Sequence, residues 1–514
     1  MSNLSDFLGG SGGGGDPQAN FKAASNISAD ELVVLNDNGT VAGTISQNNT
    51  IDFGAEDLSQ ESGFQSDYLE NNRFQQAFYD STNDKYLLLA LKSPGNDNLL
   101  YATTATRSGN TFTLASSNST VSNITAFDAD WDYSQNVAYI ATRETSSRVR
   151  IRSAYYNTSS GIFEFSGTGD ATSSNAFDNQ VVIIASNQDG TGIMATKGND
   201  STTKVFGYEA NPAQTTTKEP RFTKSSATGG TEIGGNGIFA NNTRGSDLFR
   251  LSDGVFGMVW CNSGNLNVGL GNVLHDSSNG DITTSDFSGA YFNNASITSG
   301  LLYTAFDPIN RILLVGIQNG TYRFVQYTGN TPQTAYGTLG NFTAANNSAI
   351  TYSNYLKKFV TFQHPSQGTF TVTTFIVNTT TGQAEEVTSA TDTTSNSSEI
   401  FERPRIYMPD KQSDIAIVLG NASTSNNDEY ILGSPPYLDT NVSKYFGQAA
   451  EAITSGSVGP VKIFNREFDI PGSSFQKGQK LYENSSGTTL ATSGTNVIGY
   501  AKDADTIVIT GNPS

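Results

Sequence analysis

Three arginines at alternating positions, Arg148, Arg150 and Arg152, are the most unusual local feature of the sequence. On a β-strand, this spacing projects all three guanidiniums from one face. Like charges at this distance repel each other unless an anionic group neutralises them. Tyr155 follows closely and suits recognition of a sugar or a carboxylate. The pattern therefore predicts either a ligand-binding strand or ion pairs with acidic residues of a neighbouring structural unit.

Residues with the spacing of a catalytic site are not found. The two histidines, His275 and His364, have no Gly-x-Ser-x-Gly elbow to pair with, so we expect both on the surface. Ser186–Gly190 places its aspartate one position late for a sialidase Asp-box, and the motif does not repeat. With 48 acidic residues, a chance carboxylate pair does not indicate a glycosidase. We expect that the chain is not an enzyme.

The sequence also predicts no metal or cofactor. Zinc sites need clustered Cys and His, and the chain has one cysteine, Cys261, and two histidines. Asx-rich turns such as Asn36–Gly39 lack the ligand spacing of a calcium loop. We therefore expect no disulfide, no metal site and no bound cofactor.

The charge of the chain excludes some classes of partner. The net charge is −19, and an acidic surface repels nucleic-acid backbones and anionic membranes. No run of about 20 apolar residues could span a membrane. The N-terminus has no basic segment followed by an apolar core, so it does not resemble a secretory signal.

The first residues, MSNLSDFLGGSGGGGD, differ in composition from the rest. Leu4, Phe7 and Leu8 would share one face of a helical turn, and Gly12–Gly15 would form a flexible tether. A helix this short is not stable alone. The segment is therefore either a docking peptide joined to the rest of the chain by a flexible tether or a frayed terminus.

A repeat of aromatic or apolar residue, polar turn and short apolar strand runs from about residue 73 to 435. Its strand positions recur roughly every 55 residues, a period typical of propeller blades. These positions are Tyr86, Tyr139, Ile193, Met258, Leu313, Phe359 and Ile415. Abundant Gly, Ser, Thr and Asn favour β-structure and turns over helices. The sequence predicts an all-β protein with a seven-bladed β-propeller, although stacked sandwiches could use the same strands.

Composition divides the chain into four segments. A small β-barrel or sandwich module follows the propeller, after Ser434-Pro435-Pro436. The predicted boundaries are 1–22 for the anchor peptide and tether, 23–72 for an N-terminal hairpin region, 73–435 for the propeller and 436–514 for the C-terminal module. In the hairpin region, Asn38-Gly39 supplies the turn of ELVVLNDNGTVAG (31–43).

Both ends of the sequence resemble proteins of bacteriophage particles. The opening MSNLSDFLGG with its polyglycine is similar to the N-termini of phage tail-fibre and structural proteins, and the C-terminal segment resembles a small β module of phage virion proteins. The motifs of that module are Tyr445-Phe446-Gly447-x-Ala449, Glu451-Ala452-Ile453-Thr454-x-Gly456, Gly478-Gln479-Lys480-Leu481-Tyr482 and Val497-Ile498-Gly499-Tyr500-Ala501. In such modules a hairpin like 31–43 commonly lies upstream, whereas here it lies hundreds of residues earlier. The resemblance thus implies that 31–43 folds with 441–514 and that the propeller is inserted between them.

The resemblance implies a structural or adhesive protein on the virion surface, made in the host cytoplasm. Leu4, Phe7 and Leu8 would dock it to other phage structural proteins of capsid or tail, in several copies per particle. The propeller would face outward for host attachment, with Arg148, Arg150, Arg152 and Tyr155 as binding residues for a host glycan, or for capsid decoration. A tailspike-like glycan hydrolase and a purely structural tail nozzle or hub are the alternatives.

Overall fold

The fold is described from a computed structural model of the chain. The structure describes 18–23, 27, 29, 32–35, 41–43, 52–56, 75–92, 98–146, 148–167, 170–171, 177–198, 203–223, 231–233, 246–262, 267–293, 303–316, 321–333, 337–343, 348–393, 401–410, 414–422, 427–437, 445–455, 457–463, 467–469, 476, 480–483, 490–491, 497–501 and 506–509. Every regular element in these ranges is a β-strand. No helix among them is long and apolar enough to cross a membrane.

Four strands precede the repeat region. They are β1 (Gln18–Lys22), β2 (Leu32–Leu35), β3 (Val41–Gly43) and β4 (Asp52–Glu56). The first three and the fourth belong to different units of the chain: one unit comprises 1–49 and 436–514, and the other comprises 50–435.

The first three blades follow in chain order. Blade 1 contains β5 (Gln75–Asp80), β6 (Lys85–Lys92), β7 (Leu99–Ser108), β8 (Thr111–Leu114) and β9 (Ser119–Val121). Blade 2 contains β10 (Ile124–Asp132), β11 (Val137–Glu144), β12 (Val149–Asn157), β13 (Ile162–Phe165) and β14 (Asp170–Ala171). Blade 3 contains β15 (Phe177–Ser186), β16 (Thr191–Gly198), β17 (Thr203–Ala210), β18 (Pro220–Phe222) and β19 (Thr231–Ile233).

Four further blades complete the seven sheets. Blade 4 contains β20 (Ser246–Ser252), β21 (Val255–Asn262), β22 (Asn267–Asp276) and β23 (Asp281–Asn293). Blade 5 contains β24 (Tyr303–Asp307), β25 (Ile312–Gly316), β26 (Thr321–Thr328), β27 (Thr331–Pro332) and β28 (Gly337–Thr343). Blade 6 contains β29 (Ser348–Ser353), β30 (Lys358–Ser366), β31 (Thr369–Asn378) and β32 (Gln383–Thr393). Blade 7 contains β33 (Phe401–Tyr407), β34 (Ala416–Ala422), β35 (Asn427–Ser434) and β4.

These antiparallel sheets form a seven-bladed β-propeller, which confirms the predicted fold class. The first strand of each blade is its inner strand, and inner strands contact those of neighbouring blades. Six of the seven repeat positions read from the sequence lie on the second strand of a blade, and Ile415 directly precedes β34.

The ring is closed by a strand from far upstream. In blade 7 the outermost strand is β4, whose Gly54 pairs with Leu432 of β35. The propeller therefore begins before residue 73, and the boundary predicted there is corrected. The polar segment around residue 54 lacks the apolar core that marks the other repeats, so the repeat pattern could not include it.

Apolar faces of adjacent blades pack against each other. Six of the described hydrophobic clusters each combine residues from two neighbouring blades. Between blades 2 and 3, the rings of Tyr139 and Tyr208 lie with centroids 5.1 Å apart, and both residues are fully buried. Burial of one large apolar side chain stabilises a fold by about 1.5–3 kcal/mol, so these junctions hold the ring together.

Turns between the first and second strands share one device. Asp80, Asp132 and Asp307 end the first strand of their blades, and each accepts backbone N–H groups two and three residues later at 2.8–3.1 Å. The residue four positions later is left-handed, with φ of 53° at Asp84, 55° at Asn136 and 56° at Arg311. Local side-chain bonds of this kind define a turn.

The chain ends form one sheet in the other unit, in the order β1-β37-β36-β2-β3. The remaining strands are β36 (Tyr445–Ala449), β37 (Val458–Ile463), β38 (Glu467–Asp469), β39 (Lys480–Glu483), β40 (Leu490–Ala491), β41 (Val497–Ala501) and β42 (Thr506–Ile509). The last five form a second sheet. Val33 pairs with Gly447 and is buried with Ile27, Ile453 and Val461. This is the pairing of 31–43 with the C-terminal segment that the sequence predicted.

Candidate functional site

The three arginines lie where strand β12 begins in blade 2. Arg150 and Arg152 face Thr142 and Ile140 across the ladder to β11, and Arg148 directly precedes β12. Cross-strand partners share a face of the sheet. The arginines therefore project from one face, as their spacing predicts.

One carboxylate at the end of β11 neutralises part of this charge. Oε1 of Glu144 lies 2.6 Å from Nε of Arg150 and 3.6 Å from a terminal nitrogen of Arg152. Arg152 is buried, and its burial together with the charge of Arg150 lowers the pKa of its guanidinium to about 10. The ion-pairing interpretation thus holds for two arginines: Glu144 of the same blade is the close partner, and the charge of Glu219, next to β18 of blade 3, also favours the charged form of Arg152.

The segment 148–152, which carries the three arginines, is the arginine strand, and two of its buried N–H donors have no acceptor among the described residues. Nε of Arg148 and Nε of Arg152 are buried and make no hydrogen bond to the described residues. Arg143 of β11, which the sequence reasoning missed, is also buried and donates to Oγ1 of Thr125 at 3.0 Å. The only feature of the sequence that pointed to Arg143 was its position one residue before Glu144.

Tyr155 is not brought together with the arginines. It stands an odd number of positions from them, so it projects from the opposite face of β12, where it packs against the cluster between blades 2 and 3. Its hydroxyl donates to Oε2 of Glu164 at 3.4 Å, and burial followed by the charge of Glu164 raises its pKa. A single ligand that contacts the arginine-bearing face of β12 would therefore not reach Tyr155.

The predicted docking residues Leu4, Phe7 and Leu8 lie outside the described residues.

Both histidines are buried, so the expectation that they lie on the surface is wrong. His364 is 1% exposed, and its ring packs edge-on against the rings of Phe362 and Phe370, with centroids 6.2 and 6.5 Å away. Burial lowers its pKa to about 4. His275 is 5% exposed, with Nε2 3.5 Å from Oγ1 of Thr223, and burial lowers its pKa. Both imidazoles are therefore neutral at physiological pH and pack as part of the interior.

Three aspartates on inner strand β10 form a ladder that the sequence reasoning also missed. Their carboxylates accept donors of blade 3: Asp128 from the amide of Ile184 at 3.0 Å, Asp130 from the amide of Ser186 at 2.8 Å, and Asp132 from the amide of Gly190 at 2.8 Å. Burial raises the pKa of Asp130 to about 7, and the charges of Asp128 and Asp132 add to the rise. The available signal was the alternation Phe-Asp-Ala-Asp-Trp-Asp at 127–132 within an apolar strand.

A cavity of about 160 Å³, the inner-strand cavity, is lined by residues of the inner strands of five blades. Its polar and aromatic lining includes Gln76, Asp247, Tyr303, Thr304, Thr351 and Arg405. The guanidinium of Arg405 in blade 7 lies 5.7 Å from the ring centroid of Tyr303 in blade 5. Asp247 accepts a hydrogen bond from Oγ1 of Thr304 and from the amide of Leu248. One acidic and one basic group thus share a small polar space.

Comparison with known proteins identifies no family. No protein-family model matches the sequence, and no curated protein matches it. Among solved structures, the chain is similar to a protein from Lactobacillus plantarum, with 12% identity and a TM-score of 0.36 over 62% of this chain and 85% of that one. A similarity of this degree carries no argument about function.

Within the described ranges, no group of three or more His, Cys, Asp or Glu side chains is placed to hold a metal ion. Among the described residues, the arginine strand and the inner-strand cavity are two places where polar and charged groups gather.

Proposed function

We propose that the chain is a structural and adhesive protein of a bacteriophage particle, attached through its chain ends and carrying the propeller for host-surface attachment or capsid decoration. The observation that carries the proposal is the shared sheet in which β2 pairs with β36. Both ends of the chain thus build one unit, and the propeller is inserted into it as a second unit.

The phage-like motifs occupy the strands of the end-formed unit. Tyr445-Phe446-Gly447 lies in β36, Lys480-Leu481-Tyr482 in β39 and Val497–Ala501 in β41. The resemblance therefore concerns the sheets of this unit. In the proposal this unit and the N-terminal peptide contact other phage structural proteins, in several copies per particle.

The arginine strand supplies a binding surface for an anionic host glycan. Glu144 is a close counter-ion of Arg150 and Arg152, and no ion pair to Arg148 is found among the described residues, so the half-buried guanidinium of Arg148 is the group that a carboxylate or phosphate would contact. Arg148→Ala should weaken retention on an acidic polysaccharide column, and Arg221→Gln, which removes a half-exposed cation paired with Glu209, is the control.

The proposed role includes no catalysis. In the aspartate ladder the carboxylates accept backbone amides of blade 3, which is a structural use of acidic groups. A tailspike-like hydrolase remains the alternative, since a pKa near 7 at Asp130 would suit a general acid. Release of reducing sugar from host polysaccharide that Asp130→Asn abolishes would establish the alternative.

Attachment is tested by deletion of residues 2–8 from the phage-encoded chain. Particles should then lack the protein while the propeller stays folded, because Leu4, Phe7 and Leu8 provide the apolar contact with the particle. A matched variant with Ser2, Asn3 and Ser5 changed to alanine should be incorporated normally. Normal incorporation of the deletion variant would disprove docking by this peptide and would move attachment to the C-terminal strands.

A further inference from the structure

The outer strand of blade 6, β32, is long and has one edge without a partner strand. It pairs with β31 from Gln383 to Thr393, and no strand of the described residues pairs with its other edge. β28 of blade 5 lies near its first residue, with Gly340 beside Gln383. In blades 1, 2, 3 and 5, two short strands share the outer position instead. The backbone N–H and C=O groups along an unpaired edge can pair with a strand of another chain.

Most of β32 lacks the features that usually protect an edge strand, which are lysines, prolines and bulges. The register with β31 shifts near Glu386, and from Thr388 to Thr393 it is continuous. Residues 387–393, called here the open edge, contain no Lys, Pro or Gly, and Asp392 is their one charged residue. The open edge is therefore a regular strand that another strand could extend.

Pairs of hydroxyl groups lead from β31 to the open edge. Oγ1 of Thr371 lies 3.1 Å from Oγ1 of Thr391, and Oγ1 of Thr373 lies 2.8 Å from Oγ of Ser389. Ser389 and Thr391 are exposed. A hydroxyl has one donor hydrogen and two acceptor positions, so a pair joined by one hydrogen bond keeps one donor and further acceptors. A strand placed beside β32 could continue both hydrogen-bonded rows.

The open edge is complementary to a second copy of itself. In antiparallel pairing about a twofold axis at Ala390, Ser389 of one copy lies opposite Thr391 of the other. Their hydroxyls can both donate and accept. The acidic Asp392 then lies opposite Thr388, so the two like charges do not face each other directly. Like charges placed directly opposite would destabilise the pairing, and this register avoids them.

We propose that two copies of the chain associate by antiparallel pairing of their β32 strands about Ala390. Each Thr371–Thr391 pair then meets a Ser389–Thr373 pair of the other copy, and two rows of four hydroxyls cross the interface. A twofold interface uses the same surface on both copies and closes at a dimer. Such a dimer goes beyond the proposed attachment to a particle and does not depend on it.

Sedimentation equilibrium of the purified full-length protein tests for the dimer. Because one pair of strands makes a small interface, we expect a dissociation constant on the order of 100 μM. The average mass should therefore rise from that of a monomer toward that of a dimer between about 10 μM and about 300 μM protein.

Two double variants test the register. Ser389→Lys with Thr391→Lys places like charges opposite each other across the axis and should weaken association roughly tenfold. Ser389→Lys with Thr391→Glu places opposite charges there and should retain association. The control, Thr111→Lys with Thr113→Lys, adds two lysines at exposed positions of β8, an outer strand of blade 1, and should associate like the wild type.

Three results would overturn the proposal. The first is a wild-type monomer at every concentration, whether or not another protein covers β32. The second is equal association of the two β32 variants, because Ser389 and Thr391 would then not face each other. The third is loss of association in the β8 variant as well, which would assign the effect to net charge. Circular dichroism establishes that each variant is folded. Incorporation into particles is measured separately with the 2–8 deletion, so either result can fail without the other.

Discussion

Individual aspartates connect blades 2 and 3. Inner-strand amides have no further strand to pair with, and an unsatisfied buried amide destabilises a fold. The carboxylates of Asp128 and Asp130 accept the inner-strand amides of Ile184 and Ser186, and that of Asp132 accepts the amide of Gly190 in the turn after β15. These hydrogen bonds between blades 2 and 3 therefore stabilise the ring of blades.

Asp132 provides the strongest test of that role. It is fully buried, and its carboxylate accepts hydrogen bonds from Ser134, Gln135, Ser186 and Gly190. Asp132→Ala should lower the free energy of unfolding by about 3 kcal/mol, because several donors lose their acceptor. Urea unfolding measures the change.

The control is Asp253→Ala, which removes an 89% exposed carboxylate paired with Arg250. A surface pair of this kind contributes less than about 1 kcal/mol. Equal losses in the two variants would contradict the structural role of Asp132.

Asp130 should make stability depend on pH. Its pKa in the fold, about 7, exceeds the ordinary value of about 3.9 for an unfolded chain. Folding thus favours the protonated acid, so the contribution is full below about pH 4 and is lost as pH rises through about 7. Asp130→Asn should flatten this part of the dependence of melting temperature on pH. A slope unchanged by Asp130→Asn but reduced by Asp253→Asn would show that the effect does not arise at Asp130.

Site residues were only partly predictable from the sequence. The alternation at Arg148, Arg150 and Arg152 was enough to place them on one face. Nearness in sequence suggested that Tyr155 joins them, yet strand alternation puts it on the other face. The interior positions of His275 and His364 depend on packing against strands distant in sequence, such as Gly207 of blade 3 beside His275. Spacing along the chain does not encode such contacts.

At the scale of elements, the seven second strands were predictable because each is a short apolar run after a polar turn. Closure of the ring was not, since β4 is the outermost strand of its blade and carries a mixed sequence, Asp-Phe-Gly-Ala-Glu. An edge strand is specified largely by its backbone pairing. The repeat pattern therefore revealed the blades without revealing how blade 7 is completed.

Backbone pairing of β4 gives the element-scale prediction. In an edge strand, the N–H groups of successive residues point alternately toward the partner strand and away from it. One of Gly54 and Ala55 therefore donates a hydrogen bond to β35, and the double variant Gly54→Pro with Ala55→Pro removes that donor in either case. The double variant should lower the free energy of unfolding of the propeller by about 3 kcal/mol. Gly54→Ala keeps the amide and serves as the control. Identical unfolding curves for the two variants would mean that β4 does not close the ring.

At the scale of the whole molecule, the chain is a propeller inserted into a unit made from both ends. Insertion suits a propeller, whose first and last blades are neighbours in the ring and bring its two connections close together. In the function proposed above, the end-formed unit would serve attachment and the blades would contact the ligand, and a protein of a phage particle would use both.

Immunogold labelling in the electron microscope tests this account most directly. Antibody raised against the propeller would be applied to purified phage particles, with particles encoding the 2–8 deletion as the control. Gold should decorate wild-type particles at one defined location, head or tail, and be lost from the deletion particles. Unlabelled wild-type particles, with the protein recovered only as a free species from the host lysate, would contradict the account.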